Sequence, residues 1–169
     1  MNLLRFGLIV AGVIVFLDQL SKWLLLEKLF GLSYFNPVSG FPWADSVDVT
    51  SFFNLVTVWN RGVSFGMFSN DSQYGPWALS ILALGISLGL VVWLRKIETK
   101  WMALALGLVI GGAVGNVADR IRFNAVFDYL DFHVMGYHWP AFNVADSAIF
   151  IGVGLILCDG LFARKNITT

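Results

Sequence analysis

Residues 101–120 read WMALALGLVIGGAVGNVADR, and this stretch decides the fold class. Residues 101–118 carry no charge and approach the length an α-helix needs to cross the ~30 Å hydrocarbon core of a bilayer. Gly107, Gly111 and Gly115 recur every four residues, so one helix face lacks side chains and lets a neighbouring helix approach closely. Asp119 continues that face one turn later, with Asn116 and Arg120 beside it, and the packing surface becomes polar at one end. A carboxylate at mid-bilayer costs about 2.5–3.5 kcal/mol on insertion scales, so an acid placed here calls for a partner or a function.

Working outward, three further windows have the same apolar character, giving spans at about 6–26, 76–94, 101–118 and 141–161. The composition agrees: 57% of the 169 residues are hydrophobic and 13% charged, far from the balance of a soluble domain. A formal net charge of zero argues against nucleic acid as a partner. Cys158, the single cysteine, lies in an apolar run, which leaves no disulfide framework and no thiolate metal cluster. The first window follows Arg5 as a signal peptide would, but it contains Asp18 and Lys22 and no small-x-small cleavage site, so it reads as a retained helix.

Four spans place both termini on one side. Arg5, Arg95, Lys96, Lys100, Arg164 and Lys165 fall on the terminal side, against Lys28, Arg61, Arg120 and Arg122 on the other. The excess of Lys and Arg makes the termini cytoplasmic and turns segments 27–75 and 122–140 outward. The first outer segment is rich in Val, Phe, Thr and Trp over 47–68, with turn residues at Asn60-Arg61-Gly62, which predicts a small β hairpin or cradle. Pro37, Gly40 and Pro42 break the stretch before it, and Phe41 and Trp43 suit the headgroup level. The expected architecture is a single all-α integral membrane domain over 1–169: four transmembrane helices with a small extracytoplasmic β-rich cradle.

The acids are the informative residues. Asp18 and Lys22 stand four apart on the first helix and can pair, which reads as a structural ion pair that can also brace a site. With the fourth helix starting at Pro140, Asp146 lies roughly 9 Å below its outer end. Asp128 sits at the opposite end of the same connection, so the two carboxyls can converge. Close carboxyls cannot both ionise, and one keeps a proton while the other acts as a base, as hydrolysis of a peptide bond requires. Asp146 can alternatively cap its helix or bond Asn116, and Arg120 is expected to neutralise a local acid. Ser64, Ser80, Ser87 and Ser147 have no His or Lys partner within a motif. Asp131, His133 and His138 have a loosely metal-like spacing without a helical frame, and no metal or cofactor is expected.

Several blocks, taken in order, resemble the bacterial lipoprotein signal peptidase family, signal peptidase II. They are LDQLSK at 17–22, WNRGVSFG at 59–66, GGAVGNVADR at 111–120, VFDYLDF at 126–132 and PAFNVAD at 140–146. The resemblance implies an aspartyl endopeptidase of the bacterial cytoplasmic (inner) membrane. Such an enzyme removes signal peptides from prolipoproteins on the N-terminal side of a diacylglyceryl-modified cysteine, in contact with membrane lipid, and is inhibited by globomycin-type peptides. Carried onto matching positions, the catalytic pair is Asp128 and Asp146. Asp18, Lys22, Asn60, Asn116, Asp119, Arg120, Asn143 and Ala145 match further positions near the site. Asn124 stands where the family often has Gly, and Asn tolerates the left-handed conformation such a turn needs. Two other classes remain in play: a transporter, which would spread ionisable groups over several depths of one helix face, and a noncatalytic membrane scaffold.

Overall fold

A computed structural model describes residues 2–35, 46–62 and 74–163. The four apolar windows form four long helices: α1 (Leu3–Leu24), α2 (Gly75–Leu94), α3 (Lys100–Phe123) and α4 (Val144–Ala163). Each is long and apolar enough to cross a membrane. Their starts follow local chemistry. Asn2 accepts a hydrogen bond from Leu4 N at 3.0 Å, Thr99 accepts one from Met102 N at 3.2 Å, and Pro76 occupies the first turn of α2. α1 runs on through a wide π-type turn at Leu25–Leu29.

The helix with the glycine stripe is the centre of the bundle: 61% of the apolar window of α3 is buried, against 17% for each of the others. A Cβ on Gly111 would lie 2.7 Å from Ala11 O and 2.8 Å from Ile14 Cβ, so α1 seats directly on the bare α3 backbone. On another face Gly112 receives Ala145 and Ile149 of α4, and Gly152 of α4 returns the fit against Ala105. Leu94, Ala103, Leu106 and Ile110 join Ala11 in a buried apolar cluster at the α1–α2–α3 junction.

The cradle is a four-stranded antiparallel sheet in the order β1 (Val47–Thr50), β2 (Phe53–Asn60), β3 (Val126–Val134) and β4 (Tyr137–His138). The hairpin expected in the first outer segment is present, but its turn falls at Ser51-Phe52 because Val47 pairs with Leu55. Asn60 instead ends β2 opposite Val126, and its Oδ1 accepts Gly62 N at 3.2 Å, which turns the chain away. Phe127 and Tyr129 of β3 pack with Leu26, Tyr34 and Phe123 beneath the sheet. Pro37, Gly40, Phe41, Pro42 and Trp43, the 63–68 stretch, and Arg164 and Lys165 lie outside the described residues.

Two helix ends differ from the expected spans. α3 continues past 118 to Phe123 and stops at Asn124, whose left-handed φ of 57° lets its N–H reach Arg120 O at 3.0 Å. α4 starts at Val144 because Phe142 is still in the sheet, exchanging backbone hydrogen bonds of 2.9 and 3.2 Å with Leu130. Asp146 therefore lies in the first turn, about 3 Å past the helix start rather than 9 Å.

Candidate active site

Asp128 is carried by β3 and is buried; Asp146, half-buried, is carried by the first turn of α4. One asparagine links them. Asn143 Nδ2 donates to Asp128 Oδ1 at 2.7 Å, while its backbone N donates to Asp146 Oδ2 at 3.3 Å. Asn143 Oδ1 in turn accepts from Asp146 N at 2.9 Å, so Asn143 and Asp146 form a reciprocal cap on α4. The remaining oxygens are also engaged: Asn60 Nδ2 donates to Asp128 Oδ2 at 3.2 Å, and Asn116 Nδ2 donates to Asp146 Oδ1 at 2.7 Å. Both alternatives open for Asp146, capping and bonding Asn116, are thus realised at once, one at each carboxyl oxygen.

Burial pushes the Asp128 carboxyl up to about 7, and the negative charge of Asp146 adds to the shift. The hydrogen bonds from Asn60 and Asn143 act in the opposite direction, because they favour the ionised form. A buried acid beside a second carboxylate can thus keep its proton near neutral pH.

Behind the acids lies a buried ionic group. Lys22 Nζ stands 2.8 Å from Asp18 Oδ2 and 2.7 Å from Asp119 Oδ2, and all three side chains are inaccessible to solvent. The Asp18–Lys22 pair, expected as an ion pair able to brace the site, is joined to α3 through Asp119. The free oxygen of Asp18 accepts Ala145 N at 3.0 Å, and Asp119 Oδ2 accepts Phe127 N at 3.1 Å. Ala145 and Phe127 are the residues immediately before Asp146 and Asp128, so this ionic group grips the backbone next to each acid.

Gln19 was not legible as a site residue. Its Nε2 donates to Asp18 Oδ2 at 3.0 Å, Asp119 Oδ1 at 2.9 Å and Gly115 O at 3.3 Å, and its Oε1 accepts the Tyr34 hydroxyl at 2.7 Å. Its place beside Asp18 in the LDQLSK block was the signal, and that says nothing about a contact with α3. Arg120 does not neutralise an acid by contact. Its Nη1 donates to Asn116 O at 3.4 Å, and its buried Nε has no hydrogen-bond partner among the described residues.

The competing chemistries find other geometry. Ser80, Ser87 and Ser147 each donate back to a carbonyl one turn earlier, at 2.8, 2.8 and 2.9 Å. His138 Nδ1 lies 2.9 Å from Asp131, and the His133 and His138 rings stack at 4.9 Å on the sheet. Among the described residues no three His, Cys, Asp or Glu side chains converge as a metal site would. Ser64 lies outside the described residues.

Known proteins are similar to this chain in sequence and fold. The family described as Signal peptidase (SPase) II matches residues 10–162. A lipoprotein signal peptidase of Aeromonas hydrophila is 41% identical over 152 residues, covering 89% of this chain and 84% of that one. One from Methylorubrum extorquens is 43% identical over 162 residues, covering 95% and 88%. A solved bacterial membrane enzyme superposes with a TM-score of 0.74 at 28% identity, covering 95% of this chain and 90% of the other. With that match spanning nearly the whole chain, the protein belongs to the signal peptidase II family of membrane peptidases.

Proposed function

We propose that this chain cleaves signal peptides from prolipoproteins on the N-terminal side of a diacylglyceryl-modified cysteine, using a water activated by the Asp128–Asp146 pair. The observation that carries the reading is the single Asn143 side chain and backbone joining both carboxyls, with one of them raised to about 7. The ionised carboxyl takes a proton from water as its oxygen attacks the scissile carbonyl carbon. The protonated carboxyl supplies the proton that the leaving amine needs when the C–N bond breaks. Asn60, Asn116 and Asn143 hold the four carboxyl oxygens, and the Lys22 group holds the backbone on which both acids stand.

Lipid chemistry supports the substrate class. Asp146 lines an apolar hollow with Trp139, Phe142, Phe150 and Ile151, at the first turn of a membrane-crossing helix. An acyl-modified substrate anchored in the leaflet would present its peptide at that depth, and buried acyl chains contribute about 0.8 kcal/mol per methylene. Globomycin-type peptides would compete for the same place. The Lys and Arg distribution supports cytoplasmic termini in the inner membrane, with the site toward the outer leaflet.

Asp128→Asn and Asp146→Asn should each abolish cleavage of a lipidated prolipoprotein by protein that still folds and inserts. The unlipidated precursor should be cut with much lower kcat/KM by the unaltered enzyme. Wild-type turnover by either variant removes the acid pair, and equal kcat/KM for the two precursors removes the lipid requirement.

A further inference from the structure

The β3–β4 hairpin has the surface of a membrane interface although it lies outside the four long helices. Every residue over 134–140 is exposed, with Met135, Tyr137 and Trp139 at 95%, 85% and 70%. No Lys, Arg, Asp or Glu occurs over 132–145. The turn is made by Met135 and Gly136, with φ of 51° and 83°. A left-handed conformation costs a side-chain-bearing residue about 1–2 kcal/mol, and Gly, Asn or Asp would relieve it. The tip nevertheless carries a methionine pointing away from the protein.

This surface is continuous with the lipid-facing flank of a spanning helix. Trp139 lines two apolar hollows at once, one with Phe52, Phe132, Val134 and Tyr137, the other with Phe142, Phe150 and Ile151. Phe150 is 82% exposed on α4, whose apolar flank faces hydrocarbon when the helix crosses a bilayer. The segment from the hairpin to α4 is held against β3: Trp139 N donates to Phe132 O at 2.8 Å, and Phe142 pairs with Leu130 two residues before the helix starts. The apolar surface thus climbs without a break from the bilayer to the hairpin tip. In water such a patch promotes aggregation, whereas Trp and Tyr with an apolar body and a polar tip suit the headgroup layer.

We propose that the β3–β4 hairpin, through Val134, Met135, Tyr137 and Trp139, is an interfacial anchor that inserts into the phospholipid headgroup layer of the leaflet nearest the acid pair. Phospholipid is the occupant rather than a protein, because the patch extends the lipid-facing side of α4 and offers no charged side chain for a protein partner to pair. The anchor is built on β3, the strand that bears Asp128. It does not depend on which peptide bond the protein cuts.

The test measures depth, not activity. Cysteine introduced by Met135→Cys in a Cys158→Ala background is labelled with an environment-sensitive fluorophore, and the protein is placed in phosphatidylcholine–phosphatidylglycerol nanodiscs. The same label at Glu98→Cys, in the exposed α2–α3 connection, is the reference. Label at 135 should emit further to the blue, resist iodide, and be quenched several-fold more by nitroxides at the headgroup or upper acyl chain than by one near the chain end. Free quenching by iodide with no response to nitroxide lipids would place the hairpin in water and overturn the anchor. Shielding from both quenchers would mean that a second copy of the chain covers the patch, which also overturns it.

Discussion

Asp128 receives a hydrogen bond at each carboxyl oxygen and still ionises only near 7, because burial and the neighbouring Asp146 outweigh both donors. This makes folding depend on pH with a definite sign. Between the ordinary aspartate value of about 4 and about 7, folded protein holds a proton that the unfolded chain has lost. The associated stability is complete below that window and disappears as pH rises through about 7. Asp128→Asn has no such proton to lose. Its melting temperature in detergent, relative to the unaltered protein, should therefore climb between pH 4 and pH 8, whereas parallel melting curves would show that Asp128 ionises normally. In the proposed mechanism the acid pair gives such a proton to the departing amine, so cleavage should decline above about pH 7. At this scale the acids were legible in the sequence, since their types and their place at one end of the bundle are primary-structure facts. Asn143 as the single bridge was not, because its contacts join strand and helix.

Among the elements, α3 has the most demanding role. Its glycines accept α1 on one face and α4 on another, and Asp119 and Asn116 at its end then reach the ionic group and the acid pair. Gly111→Ala should destabilise the protein by about 1–3 kcal/mol, since the new methyl meets backbone of α1 that cannot simply rotate away. Gly85→Ala on α2 meets nothing within 4 Å and should be neutral or slightly stabilising. Denaturation of both variants in the same detergent compares them, and equal losses would mean that the α1–α3 contact is not specific. The repeat of Gly107, Gly111 and Gly115 announced this packing because a four-residue period is a property of one helix. The early start assigned to α4 had the opposite cause: Pro140 and the apolar run after it look helical, but sheet pairing by Phe142 holds the chain extended until Val144.

For the whole molecule, the buried charged groups among the described residues gather at the sheet end of the bundle instead of spreading along one helix face. Lys22 draws Asp18 of α1 and Asp119 of α3 together there, and the two acids stand on the adjoining backbone. That concentration favours hydrolysis at a membrane surface over a conducting path through it. It also makes orientation consequential, and in the proposed topology the excess of Lys and Arg at the opposite end places both termini in the cytoplasm. Single cysteines replacing Ser46 and Lys100 in a Cys158→Ala background should react with an impermeant reagent from opposite sides of the membrane. Labelling from one side only would reverse this reading of the topology.

The sequence by itself determined the number of spans, the packing stripe on α3, the presence of a β element and the two acids on which the proposed chemistry rests. These depend on hydropathy, helical period and residue type, all of which are local along the chain. Tertiary structure alone decided that the hairpin turns at Ser51-Phe52, that β2 pairs with β3, and that Asp146 lies in a first turn. It alone placed Gln19 and Lys22 between two helices, and left Arg120 without an ion-pair contact among the described residues. Each of these is settled by which distant backbone or side-chain groups satisfy a buried donor or charge, and that competition has no signature in local sequence.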